Sequence, residues 1–397
     1  MIIQKLPKLS APAGYRPQAI DISVEADLLD FHLLRQRSVT ERVEIAANLI
    51  NGARQFSLQC LEQQFSHLKP QQFARKIAEA WLQDDCPPNY IPQGNRMTWI
   101  QNSAELATQL QTLFENANIP YYITGGVAAI AYGDPRTTRD LDVVIQVPRA
   151  SIAQLVAALE QNGFYVAGAD DVAAGRMKTL QVTHMETISR ADLMIADEDT
   201  YTQQQFERRR RYAFPNATEV YLASPEDVII SKLRWGLRSE SEKQRRDVLA
   251  ILKVLQGELD YLYIYRWAAE FDLLAIVQAL TVSAGIREVA DRQWADDIYP
   301  VALQAFVSAQ SIGRAVVSKE GMTVARGNFY NLILHNQTQV FTIESKGDGR
   351  LVAQFDSDKI VLHSQPSLED RQRWNEIAKR IRDIEEAAQA PDQQIEP

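Results

Sequence analysis

The sequence predicts an α+β fold, with a mixed-sheet core and a helical second half flanked by a helical N-terminal module and a small β-rich C-terminal domain. Helical periodicity dominates residues 26–82 and returns after residue 224. Strand-like and helical runs alternate between residues 100 and 224. Short β-rich runs separated by turn residues follow residue 322. Boundaries placed at these changes give residues 1–92, 93–290 and 291–397.

In the first part, Ala26–Gln36 places Leu28, Leu29, Phe31, Leu33 and Leu34 along one apolar stripe. Ser38 stands three residues before Glu41, the pattern of a capping box, and opens an amphipathic run through Leu61. A third helix, Gln71–Leu82, follows Pro70. The proline-rich stretch Asp84–Gly94 then reads as a linker.

The core reads as a helix over Asn102–Ala117, a strand over Tyr121–Thr124, and a turn leading into a helix over Gly125–Tyr132. A strand over Leu141–Val147, a helix over Ile152–Gln161, and strands over Thr179–Met185 and Ala191–Ile195 follow. Helices are expected over Pro225–Leu237, Lys243–Leu255 and Tyr261–Leu280. Five β-rich runs between Met322 and His363 suggest a small antiparallel sheet, with turn signals at Asn336-Gln337, Gly347-Asp348-Gly349 and Asp356-Ser357-Asp358. A helix over Leu368–Ala388 closes it.

The net charge of -9 over 397 residues does not suit a surface that coats nucleic acid along its length. Cys60 and Cys86 stand apart, and neither a CxxC pair nor an HExxH helix occurs, which disfavours a zinc site. The N-terminus has no apolar stretch long enough for a signal peptide, and no run suits a membrane span. A soluble, cytoplasmic protein is expected.

The chemistry concentrates between Ile123 and Val147. Asp140 and Asp142 open a strand, whose two-residue period sends both carboxylates to one face. Paired hard oxygen donors suit Mg²⁺, and two such acids can bridge two ions. Gly125-Gly126 ends a strand and opens a helix, where bare backbone and free N–H groups favour a phosphate. Asp192, in a later strand-like run, would lie beside the first two and complete a metal-binding set. From there it would help to deprotonate an attacking hydroxyl.

The ordered set Gly125-Gly126, Arg136-x-Thr138-x-Asp140-Leu141-Asp142 and Asp192 resembles the polymerase-β-type nucleotidyltransferase superfamily. Within it, the likeness is to the stand-alone bacterial branch of AbiEii-like toxins and minimal nucleotidyltransferases. It continues through residues 222–235 and 243–252 and spans residues 101–280, approximately. The resemblance implies transfer of an NMP from an NTP to a hydroxyl of tRNA or a protein, with two Mg²⁺ ions, within a toxin–antitoxin or defence system. It also implies that Gly125, Gly126, Arg136, Thr138, Lys232 and Asp247 bind the nucleotide, Lys232 on its phosphates. Where many members have Gly-Ser, this chain has Gly125-Gly126 followed by Val127. Residues 21–50 are similar to small helical bacterial proteins that accompany such enzymes as separate chains, implying an antitoxin-like module that regulates the core in cis.

Plainer readings stand beside these. Asp140 could pair with Arg139, Lys232 could be a snorkelling surface lysine, and Asp247 could pair with Lys243 or Arg246. Arg208–Arg211 read as a solvated helix end, or as a docking patch for RNA phosphates. Trp235 and Trp267 are expected in the core. The alternative to an enzyme is a catalytically silent module that binds a nucleotide or a partner.

Overall fold

Serine caps start the first two helices: Ser23 accepts from the Ala26 N–H ahead of α1 (Val24–Arg35), and Ser38 forms the expected capping box with Glu41 ahead of α2 (Val39–Gln64). The computed structural model describes residue 7 and residues 9–389, apart from 89, 101–102, 216–218, 240, 319–320, 357–358, 363 and 365. Asn102, Ser357, Asp358, His363 and the polar tail beyond Gln389, all parts of expected elements, lie outside the described residues. The contacts divide the chain into two units, one comprising Pro17–Leu255 with the start of the chain, the other Gln256 onward with Pro12–Arg16.

In the first unit, α3 (Pro70–Leu82) turns Ala74, Ile77, Ala78 and Leu82 into a core shared with Leu58, Tyr90, Trp99 of α4 (Arg96–Trp99) and Ile188. Phe31 and Leu34 of α1 pack on Ala250 and Val254. The buried Arg42 of α2 donates from Nε to the Ala131 carbonyl at 2.8 Å. The N-terminal helices therefore share their interior with the sheet region.

That region follows α5 (Ser103–Asn116) and runs β1 (Tyr121–Ile123), α6 (Gly125–Tyr132), β2 (Asp140–Ile145), α7 (Ile152–Gln161), β3 (Phe164–Ala167), α8 (Ala169–Ala173), β4 (Thr179–His184) and β5 (Arg190–Ile195). It continues with α9 (Thr200–Arg208), β6 (Arg210–Ala213), β7 (Glu219–Leu222), α10 (Pro225–Ser239) and α11 (Glu242–Leu255). The sheet order is β3-β4-β5-β2-β1-β7-β6. β2 pairs parallel with β5, and β1 parallel with β7, so the sheet is mixed, as expected. Strands β3, β6 and β7 are additional to those expected from the sequence.

In the second unit, the single helix expected over Tyr261–Leu280 is two, α12 (Tyr261–Glu270) and α13 (Leu274–Ser283). Asp272 adopts a left-handed φ of 58° and ends the first of them. A long helix absent from the sequence reading, α14 (Arg287–Ser311), carries Pro300 inside it, and its apolar residues are spread around the axis. Antiparallel strands follow: β8 (Ala315–Val317), β9 (Met322–Arg326), β10 (Tyr330–His335), β11 (Val340–Ser345), β12 (Leu351–Asp356) and β13 (Lys359–Leu362). They lie in sequence order, the meander the turn signals suggested, and α15 (Leu368–Gln389) closes the unit with Trp374 stacked on Tyr330. Two separate sheets with helices give the α+β class the sequence predicted. No described helix is long and apolar enough to cross a membrane.

Candidate functional site

β2 alternates as its sequence requires: Leu141, Val143 and Ile145 are buried, while Asp140 and Asp142 share the opposite, half-buried face. Beside it, the chain leaves β1 and turns through Gly125 at a φ of +60°. A Cβ on Gly125 would stand 1.9 Å from Asp142 Oδ2, and one on Gly126 would stand 2.6 Å from Thr138 Oγ1. Only glycine lets the start of α6 close on the acid this tightly. The Gly126 N–H donates to Asp142 Oδ2 at 3.3 Å. The glycine pair thus seats a carboxylate, a contact the motif alone did not disclose.

β5 brings Asp192 into register with Asp142, and Arg190 into register with Asp140. Arg190 Nη2 donates to both Asp192 oxygens, at 2.8 and 2.9 Å, and Arg190 also pairs with Asp85 beyond α3. Burial pushes the Asp142 and Asp192 carboxyls up, opposed at Asp142 by the Gly126 N–H and Lys232, and at Asp192 by Arg190. Asp140 makes no pair with Arg139, which donates instead to Gln83 Oε1 at 2.6 Å.

Asp140 and Asp142 face a cleft of about 350 Å³. Of the residues selected from the sequence, Gly125, Gly126, Arg136, Thr138, Asp140, Asp142 and Lys232 line it, whereas Asp192 and Asp247 do not. Asp247 of α11 pairs with neither Lys243 nor Arg246. It takes Arg136 through two hydrogen bonds, at 2.9 and 2.7 Å, and Lys232 of α10 at 2.7 Å. Burial pushes the Asp247 carboxyl up, yet the hydrogen bonds and charges of Arg136 and Lys232 bring it below its ordinary value. Burial also lowers Lys232, against the pull of Asp247. Lys232 is only 6% exposed and donates to Gln244 Oε1 at 3.0 Å, so it is a buried cleft lysine and not a surface one.

Trp235 and the arginine run at 208–211 depart from the sequence expectation. Trp235 is 59% exposed and lines the cleft, one helical turn beyond Lys232, because an aromatic spaced like a core residue can equally face a concave surface. Trp267 is buried, as expected. The basic run does not end a helix as one patch. α9 stops at Arg208, and Arg210 and Arg211 belong to the edge strand β6. There Arg208 pairs with the buried Glu226 at 3.2 Å, Arg211 with Glu219 at 3.4 Å, and Arg209 lies 4.6 Å over the Tyr221 ring.

Hard oxygen donors in pairs suit Mg²⁺, which usually takes one or two carboxylates together with substrate phosphates. Asp140 and Asp142 fit that donor set. Among the described residues, no group of three His, Cys, Asp or Glu is arranged to hold a metal ion.

Residues 107–226, which hold the glycine pair and the three acids, match the profile of the aminoglycoside-2''-adenylyltransferase family. No curated protein matches the chain. An antigenic nucleotidyltransferase-like protein from Paracoccidioides brasiliensis is a similar solved structure, at 20% identity over 45% of this chain and 92% of that one, with a TM-score of 0.32. The antibiotic-resistance factor ANT(2'')-Ia is another, at 16% identity over 44% of this chain and 94% of that one, with a TM-score of 0.33. A CCA-adding enzyme solved with ATP matches at 12% identity over 52% of this chain and 58% of that one, with a TM-score of 0.22. The central segment of this chain is similar to nucleotidyltransferases, and the family match spans under a third of its length.

Proposed function

We propose that the first unit transfers a nucleoside monophosphate from an NTP to a hydroxyl, releasing pyrophosphate, with Mg²⁺ held at Asp140 and Asp142. One observation carries the reading: a single cleft brings together that acid pair, the start of α6, and the cations Arg136 and Lys232.

A divalent ion there would offset the negative charge of the triphosphate. Gly125 and Gly126 let the phosphates approach backbone, and Thr138 offers a hydroxyl beside them. Asp247 gathers Arg136 and Lys232 at the cleft wall, so both cations are in place before the nucleotide binds. Trp235 is an exposed aromatic at the cleft, of the kind on which a base can stack. Asp192 is the group we assign to the acceptor proton. Once it is protonated its hold on Arg190 weakens, and Arg190 keeps Asp85 as a partner. The matched family is named for adenylyl transfer to an aminoglycoside. The resemblance in sequence extends the acceptors to tRNA or protein, in a toxin–antitoxin setting regulated by the N-terminal helices.

The test is a labelling assay with each α-labelled NTP, Mg²⁺, tRNA, protein extract and small hydroxyl compounds, beside an Asp140→Ala/Asp142→Ala control. Label that requires both acids is the expected result. Nucleotide binding indifferent to Mg²⁺ and to both substitutions would replace the enzyme with a silent binding module.

A further inference from the structure

Within the first unit, a second cavity of about 250 Å³ opens on the β5 side of Asp140. Thr138 and Asp140 line both it and the cleft, so the two spaces adjoin at these two residues. Much of its wall comes from the N-terminal helices: Arg54 and Ser57 of α2, Trp81 of α3, and Gln83 and Asp85 beyond it. Arg54 lies 5.1 Å from the Trp81 ring centroid, and Trp81 Nε1 donates to Ser57 Oγ at 3.0 Å, so the indole is fixed in place as a wall.

Two of the three arginines in this wall are held by several protein groups. Arg190 is shared between Asp85 and Asp192. Arg54 donates to the Trp99 carbonyl at 3.1 Å, and burial lowers its guanidinium to about 10, with Glu105 opposing. Arg139 is the exposed cation, donating to Gln83. A nucleic-acid backbone needs a track of such cations. The arginines of β6 cannot supply one, since β7 and β1 separate β6 from β2, and Arg210 and Arg211 pair with Glu226 and Glu219.

We infer that this cavity is the acceptor site of the transfer proposed above, on which the inference rests, and that it takes a small uncharged hydroxyl compound bearing a flat ring. The ring lies against Trp81, and the hydroxyl reaches toward Asp140 and the nucleotide beyond it. Its oxygen bonds to the α-phosphorus, and the α–β bridging P–O bond breaks with its electron pair leaving on pyrophosphate. The hydroxyl proton passes through water to Asp192, which lies behind Arg190 and lines neither space. The N-terminal helices then form part of the catalytic site and do not merely cover it.

Phenyl β-D-glucoside, neutral with one flat ring and free hydroxyls, is the probe. Ala53→Trp puts a ring into the cavity from an exposed position on α2, and Trp81→Ala removes the wall. Saturation-transfer NMR on the full chain without nucleotide reads probe binding, equilibrium dialysis reads Mg·NTP binding, and α-label reads transfer. The expected result is probe affinity lowered about tenfold or more in both variants, with Mg·NTP affinity held within about twofold. Label transfer to the probe falls in parallel. Probe binding that is absent from the native chain at millimolar concentration, or unchanged in both variants, overturns the inference. So does label passing to tRNA or protein and surviving Ala53→Trp. If Mg·NTP binding proves indifferent to Asp142→Asn, the transfer reading fails on its own, and the nucleotide-free NMR arm keeps the two failures apart.

Discussion

Helix α11 carries two buried lysine–aspartate pairs that look alike on paper and differ in surroundings. Asp247 meets Lys232 at 2.7 Å beside a cleft, with Arg136 as a second cation. Six residues on, Lys253 meets Asp27 of α1 at 2.5 Å, with both side chains almost wholly enclosed and the Phe31 ring 4.7 Å from the ammonium. The first pair has more positive than negative charge and opens onto space. The second is balanced and sealed. The same ion-pair chemistry borders an open cleft in one place and attaches α1 in the other, and what separates them is access to a cavity.

The sharpest test of that contrast removes the acid the cleft surrounds. Asp142→Asn is expected to lower transfer on the order of 100- to 1000-fold while leaving the unfolding midpoint close to native, because the change keeps shape and removes charge. Transfer within a fewfold of native would remove Asp142 from the chemistry. Lys253→Met should do the reverse. It strands Asp27 in the interior and costs about 3 kcal/mol in denaturant unfolding, with nucleotide affinity little changed in the folded fraction.

Lys232→Met tests the other pair directly. Arg136 still satisfies Asp247, so stability should fall by about 1 kcal/mol or less, while NTP affinity weakens about tenfold. A large stability loss with unchanged affinity would make the two pairs equivalent and end the comparison. Trp235→Ala should cost about 1 kcal/mol of nucleotide affinity, with Trp235→Phe recovering most of it by isothermal titration.

The smallest effect concerns Asp134, which feels both pairs. Burial, with Asp30 adding repulsion, pushes its carboxyl up to about 6, against Arg246 and Arg136. A raised carboxyl favours the protonated folded state, so its contribution is complete below the unfolded value near 3.9 and is lost as pH rises through about 6. Asp134→Asn should match the native chain in stability at pH 4 and exceed it at pH 7 by about 1 kcal/mol or less, given its partial exposure. Parallel stability curves across that range would show that Asp134 does not titrate there.

Local sequence patterns determined a good deal of this protein. The capping box at Ser38, the alternation Asp140-Leu141-Asp142, the Gly125-Gly126 turn and the turn-separated strands after Met322 each depend on residues close together in the chain. Their geometry is fixed by helix and strand periods. The two-helix break at Asp272 and the helix over Arg287–Ser311 are not legible in the sequence, because the first turns on one left-handed residue and the second lacks a one-sided apolar face. The partners of charged groups were beyond the sequence. Asp247 reaches back 111 residues to Arg136, Arg190 joins Asp85 to Asp192, and Trp235 faces a cleft and not the core. The second cavity at Asp140 likewise exists only because α2 and α3 fold against β2 and β5. Periodicity is a short-range property and survives in the sequence. Charge pairing and concavity depend on which distant segments meet, and only the tertiary structure decides that.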